Sequence, residues 1–123
     1  MNARSFSMSL LLLALAIGCG SYPPPAERLT TAEAAIRGAE AVGATRVPRA
    51  ALHLKLAEEQ TDKARRLMEE DYNARAELTL KRAQADAELA IAIAKEHETV
   101  SKAEAQQTKV EQLKAAARNK DAQ

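Results

Sequence analysis

Tryptophan is absent from the 123 residues, and the aromatic complement is two tyrosines and one phenylalanine. A compact aromatic-lined cavity large enough to enclose a small substrate is therefore not expected. There is a single cysteine, Cys19, so no intramolecular disulfide can form. Glycine and proline number four each, and neither occurs after Pro48, so nothing in the last 75 residues breaks a helix outright. Charge of one sign is also missing. Arg4 is the only charge before Cys19, and from Cys19 onward the chain carries 17 charges of each sign. An interspersed, neutral pattern provides no electrostatic footprint for nucleic acid or for anionic headgroups, and both are set aside as partners. The only long apolar run, Met8 to Ile17, is too short for a mature transmembrane helix of about 20 residues.

What is abundant is alanine, interleaved with Lys, Arg and Glu. Alanine has the highest helix propensity but gives little on burial, about 0.8 kcal/mol per buried carbon. Stability must then come from helix propensity and close helix approach. The expected fold class is all-α: a helical hairpin or small three-helix bundle with a long C-terminal helix, after a signal peptide and a Pro-rich linker.

The first 18 residues read as a targeting signal, with Arg4 as the positive start and Met8 to Ile17 as the apolar stretch. Leu15-Ala16-Ile17-Gly18-Cys19 resembles the lipobox of bacterial lipoproteins, with Ala16 where that pattern usually has Leu. The resemblance implies cleavage between Gly18 and Cys19 and acyl chains attached through the Cys19 thiol. It also implies membrane attachment, since two or more chains anchor a protein stably. In enterobacterial lipoproteins an Asp after the cysteine retains the protein in the inner membrane. Gly20 stands there, which implies the outer membrane with the domain facing the periplasm. The competing reading is an ordinary secretory signal cut near Gly18 or Gly20, leaving Cys19 as a free thiol or a dimer bridge.

After the anchor, Pro23-Pro24-Pro25 favours an extended, semi-rigid spacer, so residues 19–29 are read as a tether. The helical domain is expected over 30–98 and a polar helical tail over 99–123. A capping box, Thr30 with Glu33, predicts the start of the first helix, whose apolar positions are Ala32, Ala35, Ile36, Ala39 and Val42. Gly43 supplies its stop. Pro48 opens the second helix, in which Ala50, Leu54, Ala57, Thr61, Ala64 and Met68 form one seam, widened by Leu52, Leu56 and Leu67. A break is expected between Glu69 and Asn73, with Asp71 capping the third helix. That helix has the seam Ala76, Leu80, Ala83, Ala87, Ala90, Ala94 and His97 and runs to about Arg118. Beyond Glu98 the apolar residues thin out, and their phase slips by one residue from that seam.

These positions are similar to an uncharacterised lipoprotein domain family, DUF4398. The likeness rests on Pro48, Leu54, Ala57, Ala64, Asp71-Tyr72 with Ala74, Ala83, Ala85-Asp86-Ala87 and Ala90, and covers roughly residues 27 to 95. Members typically have Gly before the Asp-Tyr pair, where this chain has Glu70, which leaves one continuous helix from Pro48 open as an alternative to a hairpin. The family has no established activity, so the resemblance implies localisation and shape rather than mechanism. The alanine-spaced pair around Asp71-Tyr72 also looks like a single tetratricopeptide unit, too few to stand as an array.

Candidate chemistry fails on geometry. His97-Glu98 begins like the zinc-protease helix, but Ser101 stands where the second ligand is required. His53 is expected opposite residues near Glu88, too far along the axis from His97 to share a metal. The acidic pairs Glu58-Glu59 and Glu69-Glu70 point about 100° apart on a helix and suit surface ion pairs, such as Glu59 with Lys63 and Glu77 with Lys81. No catalytic residue, metal, cofactor or small-molecule substrate is implied. The expected role is non-enzymatic: a membrane-anchored spacer or protein-interaction module of the envelope. The partner surface is placed on Leu78, Leu89, Ile93 and Val100. Self-association as a coiled coil, or an accessory subunit binding a cell-wall or lipid ligand, are the alternatives.

Overall fold

The computed structural model describes residues 22–121. Within them the chain forms α1 (Ala26–Ala41), one 3-10 turn (Ala44–Arg46), α2 (Pro48–Glu69) and α3 (Asn73–Asp121), all α-helical in class as expected.

Helix α1 starts one turn earlier than the capping box predicts. Pro25 precedes it, and the Thr30 and Thr31 hydroxyls donate back to the carbonyls of Ala26 and Glu27 at 3.1 and 2.9 Å. Both threonines are thus inside the helix and cap nothing. Proline is tolerated at a helix start because its missing N–H would be unpaired there in any case, and Glu27 in the first turn favours the positive helix end. Residues 26–29, assigned to the tether, consequently belong to the bundle.

Gly43 ends α1 as expected, in a left-handed conformation (φ 78°), its N–H donating to Glu40 O at 2.9 Å. Val47 is extended, as a residue before proline must be, and Pro48 takes the first position of α2.

A second left-handed residue decides between hairpin and continuous helix. Asp71 has φ 60°, its N–H donates to Met68 O at 3.2 Å, and that of Tyr72 donates to Leu67 O at 2.8 Å. This is a Schellman stop, with Asp71 in the place glycine usually fills. Asp71 therefore terminates α2 rather than capping α3. Asp is among the few residues that tolerate this conformation, so the missing glycine at position 70 does not prevent the turn.

The helices run up, down and up. Near the α2–α3 turn, Ala32 of α1 packs with Ala64 and Leu67 of α2 and Ala76, Leu80 and Ala83 of α3. At the opposite end Ala39 and Ala44 join Ala50, Leu54, Ala90, Ile93 and Ala94. The predicted seams are buried from Ala50 to Ala64 and from Ala76 to Ala94, with two corrections. Leu67 rather than Met68 ends the α2 seam, and His97 is exposed. Most buried members are alanines, which lets the axes approach closely; Leu80 and Thr61 are the largest side chains fully enclosed.

Ala94 is the last buried residue of α3. From Lys95 to Lys120 every residue is exposed, a projection of about 40 Å at 1.5 Å per residue.

Candidate functional site

Gly18 and Cys19, the expected cleavage and lipid-attachment positions, lie outside the described residues. The four expected partner-surface residues do not form one group. Leu78, Leu89 and Val100 are 59, 41 and 49 % exposed, whereas Ile93 is 6 % exposed and packs inside the bundle. Ile93 is accordingly removed from the surface: the 3-10 turn after α1 brings Ala44 against α3 at that level and covers it.

The remaining three are spaced by eleven residues, which on an α-helix is three turns plus about 20°. They form one line along the outer face of α3. Ala103, Val110 and Ala117 follow Leu89 at multiples of seven, with Glu96 the polar member, and drift the opposite way by about 20° per step. The line therefore broadens in the projecting tail into a stripe, with Val110 about 80° around the helix from Val100. The inward positions turn polar at the same level, as Ala90 and Ala94 give way to His97, Ser101, Glu104 and Thr108. The phase slip seen in the sequence is thus a change of face. The inner seam stops where the bundle stops, and the outer line continues.

Two polar clusters join elements across the bundle. Asp86 on α3 accepts from His53 Nδ1 at 3.0 Å and from Gln60 Nε2 at 2.7 Å, both on α2. His53 thus meets α3 within two residues of the position expected from the sequence. Its partner was missed because Asp86 reads as an ordinary solvated helix acid. The second cluster ties the start of the described chain to the α2–α3 turn: Asn73 Nδ2 donates to Tyr22 O at 2.9 Å, and the Tyr22 hydroxyl donates to Glu77. Nothing in the local sequence signals this contact, which spans some 50 residues of chain.

The ion pairs are at the surface. Glu77 pairs with Lys81 at 2.7 Å as expected, but Glu59 pairs with Lys55, not Lys63. Arg65 reaches from α2 to Glu33 of α1 at 2.7 Å, and that hydrogen bond raises its pKa above the ordinary value. Glu98 is held below the usual carboxylate value, first by a hydrogen bond from Lys102, then by that ammonium's charge and by Arg46. Exposed pairs of this kind contribute about 0–1 kcal/mol.

The depression between α1 and α2 is open and is lined by Glu33, Glu40, Glu58, Asp62, Arg37 and Arg65, of which Glu33, Asp62 and Arg65 pair with one another. Among the described residues no cluster of His, Cys, Asp and Glu is placed to hold a metal, and no helix is long and apolar enough to cross a membrane. The arrangement offers a linear surface for another helix. Comparison with family models, curated proteins and solved structures finds no match to this chain.

Proposed function

We propose that the chain is an outer-membrane lipoprotein, attached through acylated Cys19 and facing the periplasm, whose bundle and projecting helix act as a spacer and docking rod. It belongs, on this reading, with the DUF4398-like domains that its alanine and Asp-Tyr pattern resembles. The observation that carries the docking role is the outer line of α3, Leu78, Leu89, Val100, Ala103 and Val110, which extends past Ala94 onto a part of the helix that is exposed among the described residues. An isolated helix gains stability chiefly from packing an apolar face, so this one is suited to a partner.

Charge favours a different polypeptide over a second copy. Lys95, Lys102 and Lys109 repeat at seven along one flank of the line. Antiparallel copies would set that flank against itself, and parallel copies would set it against Gln107 and Lys114, where no carboxylate answers. A helix with an acidic flank answers it.

Photo-crosslinking groups placed at Leu89 and Val110 in cells test the docking role. Adducts with another envelope protein, lost in Leu89→Asp and Val110→Asp variants, are expected. Adducts only with further copies would replace docking by self-association, and no adducts at either site would remove it. The anchor has its own test: Cys19→Ala abolishes labelling by radioactive palmitate, and label persisting in that variant overturns the lipid assignment.

A further inference from the structure

We infer that the α2–α3 turn end of the bundle faces the bilayer, held there by a docked tether, and that α3 points directly away from the membrane. This rests on the Cys19 anchor proposed above. The carrying observation is the position of Tyr22, which lies only three residues beyond that cysteine.

Tyr22 is fixed at both ends. Its carbonyl accepts from the side chain of Asn73, the first residue of α3 and a buried one, and its hydroxyl donates to Glu77 one turn further on. Pro23, Pro24 and Pro25 then lead into α1 and line an open depression together with Arg28, Thr31 and Glu77. Each proline fixes its own φ, and the Ala26 N–H closes a tight turn on Pro24 O at 2.9 Å. The prolines were expected to lift the domain off the membrane. Instead residues 22–25 are part of the domain, and only Gly20 and Ser21 are left as leash.

That leash is short. Three residues of extended chain span about 10 Å, roughly the depth of one headgroup layer plus a few ångströms. The start of α1, the end of α2 and the start of α3 all lie at this end of the up-down-up bundle. They must then sit at the headgroups, while the other end of the bundle and the tail lie further out. From Asn73 to Gln107 the rise along α3 is about 50 Å.

The surface at this end fits an interface held by the leash rather than by charge. Tyr72 is half exposed, with the Arg75 guanidinium 5.6 Å from its ring centre, an amphipathic pair of the kind that occupies the headgroup level. Glu69, Glu70 and Asp71 immediately precede it in the chain, so anionic lipid adds no attraction. Proximity is therefore independent of anionic lipid and of salt.

The test uses the full chain, processed in a lipoprotein-producing bacterium and reconstituted in phosphatidylcholine vesicles carrying a headgroup-linked quencher. Glu70→Cys and Gln107→Cys variants each receive a fluorophore, and the mass of the N-terminal peptide reports acylation of Cys19. With acylation present, quenching at position 70 is expected to exceed that at 107 severalfold, with no change on adding phosphatidylglycerol or salt. A Gly-Ser segment inserted between Ser21 and Tyr22 should lower it. Equal quenching at the two positions on acylated protein overturns the orientation while leaving the anchor intact. Quenching at 70 that survives the insertion overturns the role of the docked tether. A peptide without the acyl mass overturns the anchor, and the orientation with it.

Discussion

The two halves of α3 are one uninterrupted helix, the first richer in alanine and the second in charge, and they live in different surroundings. From Asn73 to Ala94 an alanine or leucine returns to the inward face every three or four residues and disappears beneath α1 and α2. From Lys95 to Lys120 the same positions hold His97, Ser101, Glu104 and Thr108, and every residue is exposed. Helix propensity is common to both halves; burial belongs to the first alone. Stability should accordingly concentrate before Ala94, and exposure of a recognition surface after it.

The largest break in this contrast comes from paired leucine truncations. Leu80 is fully enclosed and Leu113 is 62 % exposed. Leu80→Ala should cost about 2–5 kcal/mol by lost transfer energy and cavity formation, whereas Leu113→Ala should stay within about 0.5 kcal/mol. Thermal and denaturant unfolding followed by circular dichroism measures both. Comparable losses at the two positions would mean that the tail is packed in solution.

A smaller effect probes how close the axes are. Ala87 is fully buried on the inward seam, and Ala105 is exposed on the tail. Ala87→Leu should destabilise by about 1–3 kcal/mol through overpacking, while Ala105→Leu should be neutral. A stabilising Ala87→Leu would show that the helices have room to separate.

The smallest effect concerns the junction. Lys102 lowers the pKa of Glu98 in the folded chain, so this carboxylate contributes stability when ionised, above the range of an ordinary carboxyl. The contribution is lost as pH falls through the lowered folded value, below the ordinary carboxyl range. Because the pair is fully exposed and screened, the expected readout is a slight loss of tail helicity on acidification or at high salt, absent in Glu98→Gln. An acid-induced loss of the same size in Glu98→Gln would show that the pair plays no part in it.

Much of this was legible because helical periodicity is a local property. The seams of α2 and α3, Gly43 as a stop and Pro48 as a start all follow from spacing and from the backbone limits of glycine and proline. The failures share one cause. Thr30 with Glu33 forms a valid capping box in isolation, but good helix formers from Ala26 onward and Pro25 before them set the boundary earlier. Ile93 reads as spare apolar surface until Ala44 is known to lie against it. Asp86 and Tyr22 find their partners 26 to 55 residues away in sequence.

The sequence by itself determined that the described chain is helical, where α1 stops and α2 starts and which stripe each helix buries, because propensity and periodicity act within a few residues. Only the tertiary structure decided that Asp71 would take the left-handed place of a glycine, that Ile93 would be covered, that the inner seam would end at Ala94 and that Tyr22 would be pinned beside Asn73. Those outcomes depend on which helix ends meet, and meeting is settled by packing three amphipathic faces at once.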